Sequence, residues 1–202
     1  MTGGGVPTVI DRYAEVSPHI GNIIAASDAN GESLGFYPRS VFEDFARKGE
    51  LFVLLTSGES GRLFAGHLLF QRRFPRASIL QLYIAPEYRS RGYARILCSR
   101  LAEDLTSEGF LSIYAGVAED LTEANSRWEG LGFPVQRIRP GGATTKRTIV
   151  VRVRELPSPQ LFPPRNFDPA NPLGLKAPST EIPLFLIDLN VLFDLGAAEG
   201  TQ

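Results

Sequence analysis

The sequence contains little cysteine and no long apolar run. Cys98 is the single cysteine, so an internal disulfide is excluded and a reducing compartment, the cytoplasm, is the simplest expectation. No uncharged apolar stretch approaches the length of a membrane span. The first residues, Met-Thr-Gly-Gly-Gly, lack the basic start and apolar run of a signal peptide. We therefore predict a cytoplasmic protein without a membrane partner.

An excess of charge of one sign is also missing. The 202 residues carry 21 basic and 22 acidic side chains, for a net charge of −1. Overall electrostatics therefore do not favour binding to nucleic acid or to an anionic membrane surface. Hydrophobic residues make up 43% of the chain, enough for a packed core, and the length allows one domain with a tail or two small domains.

One stretch combines a strand, a short basic loop and a helix. Residues 78–84 are rich in β-branched, aromatic and other apolar side chains, which predicts a buried strand. Pro86 ends this strand because proline has no N–H to donate. Beyond the loop, apolar residues recur at helical spacing and predict an amphipathic helix: Ala94, Leu97, Cys98, Leu101 and Leu105.

The loop between this strand and this helix has the properties of an anion site. It places backbone N–H groups and the positive end of the helix dipole beside Arg89, Arg91 and Arg95. Gly92 allows a ligand to approach the backbone closely. The chain has no Gly-Lys-Ser/Thr tripeptide and the loop has a single glycine, so neither the P-loop nor the Rossmann fingerprint is present. Pyrophosphate is the predicted ligand.

Two motifs resemble those of one protein family. The pattern Arg-x-x-Gly-x-Ala at residues 89–94 follows a strand that ends in Ile-Ala-Pro-Glu, and it is similar to the acetyl-CoA-binding motif of the GNAT family of N-acetyltransferases. About forty residues later, residues 128–133 resemble the family signature Tyr-x-x-x-Gly-Phe. The resemblance covers about residues 7–156.

The resemblance implies an α+β fold for residues 1–156, with a mixed, mostly antiparallel sheet of about seven strands and four helices. The hydrophobic patterns along the chain predict the same elements. The resemblance also implies an acyltransferase that moves an acetyl group from acetyl-CoA, its cosubstrate, to an unidentified amine on a small molecule or a protein. Members of this fold often pair through sheet edges, so a homodimer is a further expectation.

The resemblance also implies a set of residues that contact acetyl-CoA. Backbone groups at the end of the predicted strand would pair with the pantetheine amides. The loop would hold the pyrophosphate, with Arg95 also within reach of phosphate. Trp128 stands where the family has a tyrosine. The complete set is Leu82, Tyr83, Ile84, Arg89, Ser90, Arg91, Gly92, Tyr93, Ala94, Arg95 and Trp128.

The sequence leaves the catalytic residues unassigned. Trp128 replaces the family's tyrosine, and an indole N–H is not a workable proton donor. Leu121 replaces the usual asparagine, although Asn125 is close, and Ser78 stands where some members have a general-base glutamate. The side chains left open as substitutes are Tyr83, Tyr93, Tyr114, Glu119 and Asp120.

Three other aromatic side chains have two interpretations each. Phe36 and Tyr37 lie between the first two predicted helices, where the family often forms part of the wall for the acceptor substrate. Packing in the core is an equally good explanation for both. His67 lies within a predicted strand, where a packed or surface histidine is more common than a catalytic base.

The chain changes character after residue 156. Residues 157–183 contain eight of the fifteen prolines and predict an extended linker. Residues 183–195 resemble the start of a PIN-domain ribonuclease, in which Asp188 would be the first metal ligand. Only Asp188 matches the ligands of such a domain, so no metal is expected. Residues 184–202 are either a truncated PIN-like start or a docking segment.

Two other functions are left open. The first is a non-catalytic acyl-CoA-binding regulatory module tethered to a truncated PIN nuclease domain, which Trp128 and the proline-rich linker suggest. The second is a toxin-type tRNA acetyltransferase, suggested by the PIN-like segment and by the arginines at 137, 139, 147, 152 and 154. The near-zero net charge argues against the second, so a nucleic-acid partner is not expected from this chain alone.

Overall fold

The computed structural model describes residues 6–58, 61–141 and 147–157. The PIN-like segment and all but the first residue of the predicted proline-rich linker lie outside the described residues. Both therefore stay predictions, as does the division of the chain into a domain, a linker and a second segment.

Seven strands form one sheet in the described part of the chain. They are β1 (Thr8–Ile10), β2 (Leu51–Gly58), β3 (Gly61–Arg73), β4 (Arg76–Ile84), β5 (Ser112–Ala118), β6 (Val135–Pro140) and β7 (Thr148–Glu155). Their order across the sheet is β1-β2-β3-β4-β5-β7-β6. All neighbours are antiparallel except β4 and β5, which are parallel. The structure confirms the predicted α+β fold with a mixed, mostly antiparallel sheet.

The α-helices of the described residues include the four predicted ones and two single turns. They are α1 (Tyr13–Val16), α2 (Ile20–Ala29), α3 (Gly31–Leu34), α4 (Arg39–Arg47), α5 (Tyr93–Ser107) and α6 (Thr122–Gly130). The sequence patterns predict a strand over residues 8–13 and a turn over residues 28–32, whereas the structure ends β1 at Ile10, begins α1 at Tyr13 and forms α3 over Gly31–Leu34. Turn residues such as Asn30 and Gly31 did not predict α3, because a single turn is too short to show a periodic apolar pattern.

Apolar side chains pack on both faces of the sheet. On one face α5 buries the predicted stripe, including Leu97, Cys98 and Leu101, against the middle strands. On the other face α2 and α4 pack Ile23 and Phe42 against β2. Burial raises the pKa of the Cys98 thiol to about 12, so this cysteine is part of the core.

The sheet opens between β4 and β5. Their parallel pairing runs from Arg76 opposite Ser112 to Ile79 opposite Ala115, and it stops there. At this point the pairing of β4 with β3 shifts register, which leaves Leu80 as an extra residue in β4. Such a bulge bends its strand and increases the local twist. The end of β4 therefore continues beside β3 while it separates from β5.

The end of β4 lies unusually close to β3. Gly66 of β3 stands opposite Ile84, and a Cβ atom at this glycine would overlap Tyr83 O and lie 3.2 Å from Ile84 Cα. A residue with a side chain would push the two strands apart. Gly66 thus allows the end of β4 to lie close to β3.

We expect Leu97→Ala to lower the free energy of unfolding by about 2–5 kcal/mol, because it leaves a cavity where a fully buried side chain joins α5 to the sheet. Glu103→Ala on the exposed face of the same helix is the matched control, and it should change stability by less than about 0.5 kcal/mol. Urea unfolding of both variants measures the difference. Equal unfolding midpoints would contradict this packing.

Candidate functional site

A cleft begins where β4 and β5 separate and continues to the N-terminus of α5. It consists of two adjoining cavities, of about 280 Å³ and 290 Å³. The first cavity lies between the end of β4, residues 30–34 and the start of α6. The second is lined by the loop before α5 and by the end of α6. The residues that line both are Ile84, Arg89, Ala94, Arg127 and Leu131.

The N-terminus of α5 opens into the second cavity. Gly92 precedes the helix with φ of 79°, a left-handed conformation that favours glycine, and a Cβ atom there would have no neighbour within 4 Å. The helical hydrogen bonds begin with Ile96 N donating to Gly92 O at 3.2 Å. Within the described ranges, the N–H groups of residues 92–95 have no hydrogen-bond acceptor. This mouth of the helix is therefore open to an anion.

The three arginines predicted for phosphate binding are held differently. Arg89 is exposed, and its Nε donates to Ile84 O at 3.1 Å. Arg91 is also exposed, with its guanidinium 5.7 Å from the centre of the Tyr88 ring. Arg95 Nη2 instead donates to Gly130 O at 3.0 Å and stabilises the C-terminus of α6. Arg89 and Arg91 thus flank the open helix end, whereas Arg95 already has a partner.

The other loop residues contribute backbone more than side chain. Ser90 is exposed and has φ of 61°. Tyr93 is buried, and its hydroxyl lies 3.3 Å from Thr56 Oγ1 in the core. Its phenol is therefore not available to protonate a ligand in the first cavity. Ala94 is half-buried and lines both cavities, where a larger side chain would narrow the cleft.

The backbone at the end of β4 presents two of its three predicted residues to the gap. Ala85 N donates to Ala65 O of β3 at 2.9 Å. Because the hydrogen-bonding groups of a strand point alternately to its two sides, the groups of Tyr83 also face β3. Those of Leu82 and Ile84 face the gap. The structure thus positions Leu82 and Ile84, more than Tyr83, for backbone pairing with a ligand.

Trp128 lines the first cavity from α6. Its half-buried ring packs edge-on against Phe133, with ring centres 5.0 Å apart. After α6, Gly132 has φ of 86°, and Phe133 N donates back to Trp128 O at 3.1 Å. The Gly-Phe motif therefore ends the helix and buries Phe133 completely. This turn fixes Trp128 at the wall of the cleft.

A polar cluster that the sequence did not reveal fixes the connection from β5 to α6. Asn125 Nδ2 donates to Ala118 O at 2.9 Å and to Leu121 O at 3.0 Å. Its Oδ1 accepts from Arg152 Nε at 3.2 Å. Arg152 is 4% exposed, and its Nη1 donates to Phe133 O at 3.0 Å. An arginine within an apolar strand pattern gave no signal that it would be buried.

Among the side chains left open as proton donors, only Tyr83 lines the first cavity. Tyr114 lies on the paired half of β5, opposite Ser78. Asp120 accepts two hydrogen bonds from Arg147, which lowers the pKa of its carboxyl. Glu119 is exposed and does not line either cavity. The structure therefore brings one of these candidates, Tyr83, to the cleft.

The remaining aromatic candidates have different positions. Tyr37 is half-buried and packs edge-on against Phe42, at 6.2 Å between ring centres, so it belongs to the core. Phe36 is 79% exposed. His67 is completely buried, and its Nε2 lies 3.0 Å from Gln81 Oε1. Since Gln81 Nε2 donates to Leu34 O at 3.0 Å, its Oε1 accepts, and the proton of His67 is on Nε2.

The described part of the chain lacks two further features. It contains no helix long and apolar enough to cross a membrane. It also contains no group of three or more His, Cys, Asp or Glu side chains placed to hold a metal ion.

Comparison with known families identifies the fold with this cleft. The model described as "Acetyltransferase (GNAT) family" matches residues 21–133, more than half of the chain. The chain belongs to the GNAT family. The match contains the loop before α5, and it ends at the Gly-Phe corner after α6. A search of curated proteins finds no match to the chain.

Solved structures of other GNAT proteins share the architecture. Ard1 from Thermoplasma volcanium has 15% identity and a TM-score of 0.64, over 75% of this chain and 99% of that one. The ribosomal-protein-S18-alanine N-acetyltransferase from Escherichia coli has 14% identity and a TM-score of 0.58, over 78% and 99%. N-acetylglutamate synthase from Neisseria gonorrhoeae, complexed with coenzyme A and N-acetyl-glutamate, has 16% identity and a TM-score of 0.57, over 76% and 36%. At these identities the similarity shows the fold alone.

The burial of the His67 ring leads to a prediction about how folding stability changes at acidic pH. Desolvation lowers its pKa from 6.5 to about 4, so the unfolded chain binds a proton between these values that the folded chain does not. Stability should therefore fall as the pH decreases through this window. Between pH 7 and pH 5, His67 should account for a loss of about 2 kcal/mol.

Urea unfolding of wild type and His67→Gln at the two pH values measures this contribution, because the variant should lose less stability on acidification. His19, the other histidine, is the control. Burial lowers its pKa too, so His19→Gln should reduce the pH dependence by a smaller amount. An identical pH dependence in wild type and His67→Gln would contradict the assignment.

Proposed function

We propose that this GNAT protein binds acetyl-CoA in the cleft and transfers the acetyl group to an amine. The observation that carries this proposal is the continuity of two features: the gap between β4 and β5, and the open N-terminus of α5. The first suits an extended chain with amide groups, and the second suits a pyrophosphate. Members of the GNAT family are acyl-CoA-dependent N-acetyltransferases, which supports the same ligand.

The pyrophosphate would bind to the N–H groups of residues 92–95 and to the guanidinium groups of Arg89 and Arg91. The pantetheine amides would pair with Leu82 and Ile84 along the gap. Because Arg89 Nε already donates to Ile84 O, binding would exchange this internal bond for one to phosphate. Each charge-assisted hydrogen bond contributes about 1.5–3 kcal/mol, so a few of them suffice for micromolar affinity.

The chemistry of the transfer needs little from the protein beyond position. The neutral amine attacks the thioester carbonyl carbon, a C–N bond forms, the C–S bond breaks, and coenzyme A leaves as a thiolate that takes up a proton. Holding the amine against the carbonyl converts a bimolecular reaction into an intramolecular one. The amine's own proton leaves to water or to a base. Tyr83 lines the first cavity, so its phenol is the candidate for donating a proton to the thiolate.

The acceptor would enter the first cavity from the side opposite the phosphate site. Residues 30–34 and 121–124 border that side, and neither segment lines the second cavity. Phe36 follows residues 30–34 in the chain and is exposed, so it stays a candidate for the acceptor wall. A small molecule or a protein amine fits this proposal equally. A homodimer through the fully exposed edge strand β6 also stays a proposal.

A second candidate function is a non-catalytic acyl-CoA-binding module. Trp128 favours it, since the indole occupies the position of the family's tyrosine and cannot supply a proton. The tRNA-directed alternative has less support. Among the five arginines that suggested it, Arg152 is buried and Arg147 is paired with Asp120.

Acetyl-CoA binding should depend on the charge beside the open helix end. We expect Arg89→Glu together with Arg91→Glu to weaken acetyl-CoA binding at least about a hundredfold, because two attractive contacts become repulsive. Isothermal titration calorimetry measures the affinity. Arg137→Glu with Arg139→Glu makes the same charge change on β6 and should leave the affinity unchanged. Equal affinities of the two double variants would refute the phosphate site.

Turnover distinguishes the two candidate functions. Incubation of the full chain with acetyl-CoA and a panel of amines and peptides should release coenzyme A with at least one acceptor, detected with a thiol reagent. Trp128→Tyr introduces a phenol where the family has one and should increase the rate if protonation of the thiolate limits it. Tight acetyl-CoA binding without release in either protein would favour the non-catalytic module.

A further inference from the structure

The single helical turn α3 is attached to the rest of the domain by two hydrogen bonds to its carbonyl groups. None of its three side chains, those of Glu32, Ser33 and Leu34, is buried by the described residues. Gln81 Nε2 donates to Leu34 O at 3.0 Å, at the end of the turn. Arg147 Nη1 donates to Glu32 O at 2.7 Å, near its middle. The position of α3 beside the first cavity therefore depends strongly on these two side chains.

The two attachments differ in character. Gln81 is 2% exposed, and its Oε1 also accepts from Ser27 Oγ at 3.3 Å and from the ring of His67. This buried network fixes one end of α3. Arg147 acts from the surface, and the Arg147–Asp120 pair is 31% and 63% exposed. An exposed ion pair contributes little to stability and is screened by salt, so the second attachment is the one that can open.

Arg147 connects two segments that border the first cavity. Its Nε and Nη2 donate to Asp120 Oδ1 and Oδ2 at 3.2 Å and 2.7 Å, while its Nη1 reaches Glu32 O. Asp120 directly precedes one wall, which contains Leu121, Glu123 and Ala124, and Glu32 stands in the chain between Asn30 and Ser33, which belong to the other wall. The planar guanidinium can bind a carboxylate with two donors and still offer a third.

We infer that Arg147 is a positioning residue that clasps these two walls and sets the width of the acceptor entrance. That an acceptor enters here rests on the proposed function. The contacts of Arg147 with the two walls do not depend on it. Neither wall lines the second cavity, so opening the clasp leaves the phosphate site unchanged. Gly31 and Gly35, at and just after the ends of α3, would have no atom within 4 Å of a Cβ and leave room for the turn to move.

The chain contains its own reporter of this entrance. Trp128 is the single tryptophan, and it lines the first cavity from α6. Quenching of its fluorescence by acrylamide, a small neutral molecule, therefore measures how open the cavity is. Coenzyme A chemistry does not enter this measurement, so its outcome is independent of whether the protein transfers acetyl groups.

The experiment compares the full chain with Arg147→Ala, Asp120→Asn and Arg139→Ala. We expect the quenching constant of Trp128 to rise about twofold in the first two variants, because the walls separate more often. Arg139→Ala removes an exposed arginine whose side chain, among the described residues, donates to the neighbouring Pro140 O, and it should not change the constant. Salt at about 1 M should raise the constant in wild type but not in Arg147→Ala.

Two further measurements separate a clasp from general destabilisation. Arg147→Lys keeps the charge but cannot donate to both walls in a fixed fork, so it should behave like Arg147→Ala. Acetyl-CoA affinity should be the same in all these variants. For any amine that is acetylated, Arg147→Ala should change the KM of the amine and not that of acetyl-CoA. Unchanged quenching in both Arg147→Ala and Asp120→Asn would overturn the clasp, and so would full rescue by Arg147→Lys.

Discussion

A sheet can open in its interior only where the freed backbone groups find other partners, because a buried unpaired N–H or C=O is costly. β4 and β5 meet this constraint by separating toward the surface. The bulge at Leu80 turns the end of β4 away, and the cavity beside it admits water or a ligand. Arg89 satisfies one of the freed carbonyls, that of Ile84. The cleft, the loop and the two flanking helices all follow from this separation.

The helices on either side of the cleft are linked at their ends. α5 begins at the cleft and α6 ends beside it, so a positive helix end and a negative one are close together. Arg95, in the first turn of α5, donates to Gly130 O at the end of α6 and joins the two. On the inner side, Arg152 binds Asn125 and Phe133 O without a carboxylate partner among the described residues. These contacts fix the position of α6 at the cleft, whereas α3 is held there by fewer hydrogen bonds.

The sequence was informative where a feature is formed by residues that are neighbours in the chain. The loop from Arg89 to Ala94 and the corner at Phe133 each act through local backbone geometry, so a short motif contains the information. The contacts that the sequence did not predict connect residues that are distant in the chain. Arg147 and Glu32 are 115 positions apart, and Asn125 and Arg152 are 27 apart. The bulge at Leu80 is a mismatch of register between two strands, and no local pattern encodes it.

The close contact between Gly66 and β4 affects the shape of the cleft from the side of β4 that faces β3. The hydrogen atom of this glycine leaves space for Tyr83 O, on the side of β4 that faces away from any ligand. Even the smallest side chain there would displace β4 toward β5. Such a change would narrow the gap between β4 and β5 from a residue that lines neither cavity, so a substitution outside the cleft can alter the shape of the cleft.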